Sequence, residues 1–216
     1  MILQRLNMDN SWFLQLSETR VLVDPWLEGT EVDYFSWFNT QWHRTPPIPY
    51  EDVPVFDAVL ITQKYPDHFH EKTLARLKPS AVLAPAFLGP RLMRLLPQAT
   101  LHLFDQKNPS YTIGSVRISH LPTRRRLDPI YDAYFIEDDR ESIMVANHGF
   151  DLDDEHRNQL GHDASCDVLI SPFNQYSLPG FLGGLVSPGL EGLAVLVKQT
   201  KPSKVVQTHD ELKHSK

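Results

Sequence analysis

Four short apolar runs of this chain end in the same way, and that recurrence constrains its fold more than any other feature. "DAVLIT" leads into Gln63-Lys64-Tyr65-Pro66-Asp67-His68, "SIMVA" into Asn147-His148-Gly149, "CDVLIS" into Pro172-Phe173-Asn174 and "KVVQT" into His209-Asp210. Continuous short runs of Val, Ile, Leu and Ala read as strands buried on both faces. Helix-period segments such as "EKTLARLK" and "GLEGLAVLVKQT" stand between them. The polar clusters therefore all follow the carboxyl ends of strands, where chains with this α/β rhythm assemble their sites.

The remaining segments fit around that frame. "SWFLQLSETRVLVDPWL" places two apolar runs either side of "SETR", a hairpin that stops at Asp24-Pro25. "EVDYFSWFNTQWHRTPPIPY" is too irregular for a long helix and too apolar for a disordered linker, so it reads as an ordered loop. "AVLAP" and "LHLF" are strands around a helix in "FLGPRLMRLL". "SVRISHL", "DAYFIE" and "SIMVAN" are consecutive strands, with "EDDRE" as a turn, and Asp154 to Leu160 is a polar helix. Two β-rich blocks, each followed by helices, predict sheets packed face to face with helices outside, in a single domain over residues 1–216.

Composition narrows the function classes. With 41% apolar and 22% charged residues the chain reads as soluble and globular, and a formal net charge of -6 provides no field to hold a polyanion, so no nucleic-acid partner is expected. Arg124, Arg125 and Arg126 are the one dense basic run, either a solvated loop or a fork for phosphate or carboxylate. A lone cysteine, Cys166, excludes an internal disulfide, and "MILQRLNMDN" lacks the pattern of a signal peptide, so a cytoplasmic location is expected. No apolar run approaches the ~18 residues that suggest a membrane span. Serine and cysteine nucleophiles find no support, because no Gly-x-Ser-x-Gly elbow occurs and Cys166 falls in a buried strand. "GFLGGLVSPG" lacks the closing Lys-Ser/Thr of a phosphate loop and reads as a mobile loop near the site.

Several polar residues carry two readings. Asp67 precedes "HFHEKTLARLK" and can cap that helix, ligate a metal or orient a ligand imidazole. His68 and His70 are either ligands or an ordinary polar helix start. Asn147-His148-Gly149 is a normal turn composition, or His148 adds a donor to a site.

Taken together, the hairpin ending in "VDPWL", the "DAVLIT" strand with its loop, the "VANHG" turn and the late "VVQTHDELKH" resemble the metallo-β-lactamase superfamily, in particular its lactonase-like branch. The resemblance implies an α+β fold, a four-layer αββα sandwich. It implies that Asp24 of the "DP" turn fixes the loops around the site. It also implies a closing segment after the "VVQTHD" strand, which the chain, ending at Lys216, is expected to lack.

The loop of that family is T-H-x-H-x-D-H, and here it reads Thr62-Gln63-Lys64-Tyr65-Pro66-Asp67-His68. Gln63 and Tyr65 replace two histidines, and Asn147 stands where a shared aspartate is expected. His120 lies in the region of a third histidine. An amide is a poor zinc donor, and a phenol ionises only near a pKa of roughly 10, so one of the family's two metal sites is expected to be empty. The other retains Asp67, His68 and His209, enough for one divalent ion: zinc, or else iron or manganese. Hydrolysis of a small ester, lactone or phosphoester follows, with Asp67, His148 and Tyr65 beside the reaction and Arg124 and Arg125 holding an anionic group. The alternative is a non-catalytic protein whose degenerate site is a ligand pocket or scaffold, a reading that Gln63, Tyr65 and Asn147 favour.

Overall fold

The computed structural model describes all residues except 33–39, 124–130, 178–183, 210–213 and 216, and only the backbone of residues 31, 32, 214 and 215. It divides into two compact units, Met1–Val116 with Glu211–Lys216, and Arg117–Asp210.

In the first unit the strands are β1 (Ile2–Arg5), β2 (Trp12–Leu16), β3 (Thr19–Val23), β4 (Thr30–Val32), β5 (Thr40–Trp42), β6 (Ala58–Leu60), β7 (Ala81–Pro85), β8 (Thr100–Phe104) and β9 (Ser110–Ile113). Its helices are α1 (Glu71–Leu77) and α2 (Gly89–Leu95). Six strands form one sheet in the order β1-β2-β3-β6-β7-β8. The first three pair antiparallel, and β3, β6, β7 and β8 run parallel, with Val23 opposite Leu60 and Leu60 opposite Leu83. Ala58, Val59 and Leu60 are all fully buried, so β6 is covered on both faces, as its unbroken apolar run predicts. Leu22, Val59, Ile61 and Val82 form a core with Leu74 of α1 and Leu92 of α2.

The aromatic segment expected to be a loop differs in part. Thr30–Val32 and Thr40–Trp42 are two antiparallel strands, and β17 (His214–Ser215) pairs with β5, Ser215 lying opposite Gln41. Residues 33–39 of that segment lie outside the described residues.

The second unit contains β10 (Val116–Leu121) from its second residue on, β11 (Ala133–Glu137), β12 (Ser142–Val145), β13 (Val168–Ser171), β14 (Gln175–Ser177), β15 (Leu185–Pro188) and β16 (Lys204–Gln207), with α3 (Asp154–Leu160) and α4 (Gly189–Thr200). Its sheet runs β16-β13-β12-β11-β10. Again an antiparallel set, β10 to β12, gives way to parallel strands, with Val145 opposite Ile170 and Ile170 opposite Val206. Leu193 and Leu196 of α4 pack with Phe135, Met144 and Leu169. Asp153 and His156 form a capping box that starts α3, and Gly161, at φ 81°, ends it.

Leu185–Pro188 of the segment read as a mobile loop is a strand paired with Gln175–Ser177, the rest of it up to residue 183 lying outside the described residues. Among the described residues no helix is long and apolar enough to cross a membrane.

Candidate metal centre

Within the first unit, the ends of β3 and β6 meet through Asp24. The Asp24 amide donates to Leu60 O (2.9 Å), which carries the parallel ladder one residue past the strand. Asp24 then takes a left-handed backbone, φ 46°, a conformation that, after glycine, a short polar residue tolerates best. Its carboxylate is fully buried and accepts three hydrogen bonds: from Thr62 N (2.7 Å), Thr62 Oγ1 (2.5 Å) and His68 Nδ1 (2.6 Å). A donor at Nδ1 fixes the tautomer of His68 and leaves Nε2 as the ligand face. That Nε2 lies 3.7 Å from Asp67 Oδ2. Burial alone would push the His68 pKa down, but the charges of Asp67 and Asp24 outweigh it and raise the imidazole to about 9. Electrostatically this corner is made for a cation.

The loop that carries these residues is itself held. His68 N and Phe69 N both donate to Tyr65 O, at 3.0 and 2.7 Å, so Tyr65 closes the turn through its backbone while its ring lies under Lys64 Nζ. Gln63 is buried in the same loop. The helix-cap reading of Asp67 is overturned, because His70 is the N-cap of α1: its Nδ1 accepts from Thr73 N (3.3 Å) and lies 2.8 Å from Thr73 Oγ1. A capping acceptor must be unprotonated, and burial pushes the His70 pKa down to about 4. His70 is thus a neutral structural acceptor.

Asp9, which sequence reasoning missed, also belongs to this corner. It sits between β1 and β2, is 1% exposed, and offers a carboxylate oxygen within 4.8 Å of one from Asp67. The signal for it was only the Asx-rich "NMDNS", which reads first as a turn.

Within the second unit, the polar clusters again follow the parallel strands. Gly149 N returns to Ala146 O (3.0 Å), which closes the tight turn predicted for Asn147-His148-Gly149. His148 stacks on His209, their ring centroids 4.9 Å apart, and each offers a ring nitrogen within 4.8 Å of the other's. His209 follows β16 in a left-handed conformation, φ 57°, and Asn174 Nδ2 donates to its carbonyl (2.7 Å). Asn147 is buried at the start of that turn.

His120 is engaged elsewhere, its Nε2 2.8 Å from Asp132 Oδ2, and it joins none of the ligand groups found among the described residues. Cys166 is buried and its thiol pKa is pushed up to about 11 by that burial, in line with an inert thiol. Arg124 and Arg125 lie outside the described residues.

Each unit by itself offers donors that suit a divalent ion in chemistry: the His68 imidazole with the Asp67 and Asp9 carboxylates in the first, and the His148 and His209 imidazoles in the second.

Comparison with solved structures finds the same fold in other proteins. The chain is similar to isothiocyanate hydrolase from Delia radicum gut bacteria at 16% identity and a TM-score of 0.69, covering 97% of this chain and 84% of that one. It is similar to the metallo-beta-lactamase fold protein YhfI from Bacillus subtilis at 16% identity and 0.64, covering 96% and 84%. The short form of human tRNase Z follows at 13% identity and 0.61, covering 97% and 92%. At these identities the likeness is one of fold, and the α+β fold expected from the resemblance is the fold of the chain. No curated protein matches. A family model described as a beta-lactamase superfamily domain matches residues 7–209.

Proposed function

The chain belongs to the beta-lactamase superfamily and is a hydrolase-like protein of metallo-β-lactamase fold, and on that premise we propose that it hydrolyses a small ester, lactone or phosphoester with one divalent ion. Asp67, His68 and His209 hold the ion in this reading, zinc first and iron or manganese next. The observation that carries it is the buried Asp24–His68–Asp67 arrangement, in which a carboxylate fixes one face of an imidazole and turns the other beside a second carboxylate. So costly a buried charge cluster is what a ligand needs and what a plain scaffold does not.

A divalent ion supplies Lewis acidity that makes water a nucleophile near neutral pH. The protein's own groups do the rest. Asp24 keeps His68 in one tautomer, and Asp67 contributes negative charge next to it. In this reading His148, half-buried and stacked on His209, exchanges a proton with the leaving group, with Tyr65 as the second candidate.

Gln63, Tyr65 and Asn147 favour a second reading, a non-catalytic protein whose reduced site binds a ligand. The acidic net charge favours a small-molecule substrate over nucleic acid, since the likeness to tRNase Z extends to fold alone.

The experiment is a hydrolysis screen of esters, lactones and phosphomonoesters and phosphodiesters, with chelated protein and protein reloaded with zinc, iron or manganese, beside His148→Ala. Turnover that needs the ion and falls at least ~100-fold in the variant supports the reading. Metal-loaded protein that turns over nothing in the screen, yet binds members of it, favours the ligand pocket.

A further inference from the structure

The geometry points to Asp9 as an additional ligand of the ion, a carboxylate from the β1–β2 loop that makes up for the imidazoles absent at Gln63 and Tyr65. The inference rests on the reading of Asp67 and His68 as ligands and adds a residue outside the motif that suggested them.

The loop is built to hold Asp9 still. Asn7 Oδ1 accepts from Asp9 N (2.9 Å) and Ser11 N (3.0 Å), and Asn7 Nδ2 donates to Ser11 Oγ (2.7 Å) and Trp26 O (3.0 Å). Ser11 Oγ donates in turn to Asp24 O (2.6 Å), which ties the loop to the strand end that fixes His68. Asn10 Nδ2 donates to Asp67 O (3.0 Å), so the loop is tied to the metal loop as well. Asn10 is fully buried, and its Oδ1 has no hydrogen-bond partner among the described residues, a further buried oxygen on the same loop, next in sequence to Asp9.

Charge then asks for a cation. Asp9 and Asp67 bring oxygens within 4.8 Å of each other, Asp9 almost fully buried and the Asp67 side chain 16% exposed. Two carboxylates so placed repel strongly out of water. Asp24, committed to Thr62 and His68, adds a third carboxylate to the same unit's corner, so the cluster is rich in negative charge. A divalent ion between Asp9 and Asp67, with His68 Nε2 beside Asp67 at 3.7 Å, balances that charge. The resulting donor set is richer in oxygen than the histidine-rich loop of the family, which shifts preference from zinc towards harder ions such as manganese.

The test is calorimetric titration of full-length apo protein with Zn²⁺ and with Mn²⁺, paired with the visible absorption of the Co²⁺ form, for wild type and Asp9→Asn. Ligation gives an affinity loss of about 10-fold to 100-fold or more in D9N, larger for Mn²⁺, together with altered Co²⁺ bands. The apo form of D9N melts at or above the wild-type temperature, because a buried repulsion has been removed. Equal affinities and superimposable Co²⁺ spectra would overturn the inference while leaving Asp67 and His68 as ligands. A wild type that takes up none of these ions would remove the metal reading itself, and this inference with it. If D9N does not fold, Asp9→Glu keeps the charge on a longer arm: shifted Co²⁺ bands then support ligation, and unshifted bands overturn it.

Discussion

The two units follow one plan and hold their polar residues in different ways. In each, antiparallel strands give way to parallel ones, and side chains with chemistry follow the parallel strands. In the first unit those side chains are locked: Asp24 accepts three short hydrogen bonds, and His68 is 1% exposed. In the second, His148 and His209 are half-buried and lean on one another ring to ring. A buried carboxylate–imidazole pair must be fully partnered to survive burial, whereas stacked rings half open to solvent need little help. The first unit therefore carries a preorganised site, and the second a more adaptable one.

The largest test of that contrast is Asp24→Ala against His148→Ala. Removing Asp24 strands Thr62 N and His68 Nδ1 in the interior and is expected to cost about 3–5 kcal/mol in urea unfolding. His148→Ala, at a half-buried stacked position, is expected to cost no more than ~1 kcal/mol. Equal losses would break the contrast.

Acid should act mainly through the first unit. The folded pKa of His70 is about 4, below the usual imidazole value of 6.5, so the unfolded chain takes up its proton first as pH falls. Stability from this residue is complete above pH 6.5 and is lost between 6.5 and about 4, by up to ~3 kcal/mol. His70→Asn keeps a capping oxygen and does not titrate, so its stability curve over that window is expected to be flatter than the wild type's. A curve of unchanged slope would contradict the role of His70.

Two glycines sharpen the picture of the second unit. A Cβ on Gly149, at φ 76°, would stand 2.7 Å from Pro188 Cγ, whereas on Gly161, at φ 81°, it would meet nothing within 4 Å. Gly149→Ala is expected to lower stability by about 2–3 kcal/mol and Gly161→Ala by about 1, measured by urea unfolding. The reverse order would show that the turn at His148 is looser than described. The smallest effect concerns Cys166: with its thiol buried and its pKa near 11, alkylation of the native protein at neutral pH should be far slower than that of the unfolded chain.

Periodic burial is what the sequence made legible. "GLEGLAVLVKQT" coincides with α4, and "DAVLIT" and "CDVLIS" contain β6 and β13, because each buries aliphatic side chains at the spacing of its element. β1 and β14 escaped because they expose residues with no apolar pattern, β14 along its whole length, and pairing alone makes them strands. Asp67 and His68 were readable as a motif. That His70 and not Asp67 caps α1 was not, since either side chain suits a cap and only the backbone path decides. Asp9 was hidden for another reason: 58 positions separate it from Asp67 in the chain, and only the fold makes them neighbours.

The most direct measurement is the metal content of untagged protein, by elemental analysis, beside a His68→Ala/His209→Ala double variant. About one zinc, iron or manganese per chain, lost in a variant that remains folded, is the expected result. No metal in either protein after incubation with these ions would contradict the metal centre and leave Thr62 to His68 as the remnant of a ligand loop.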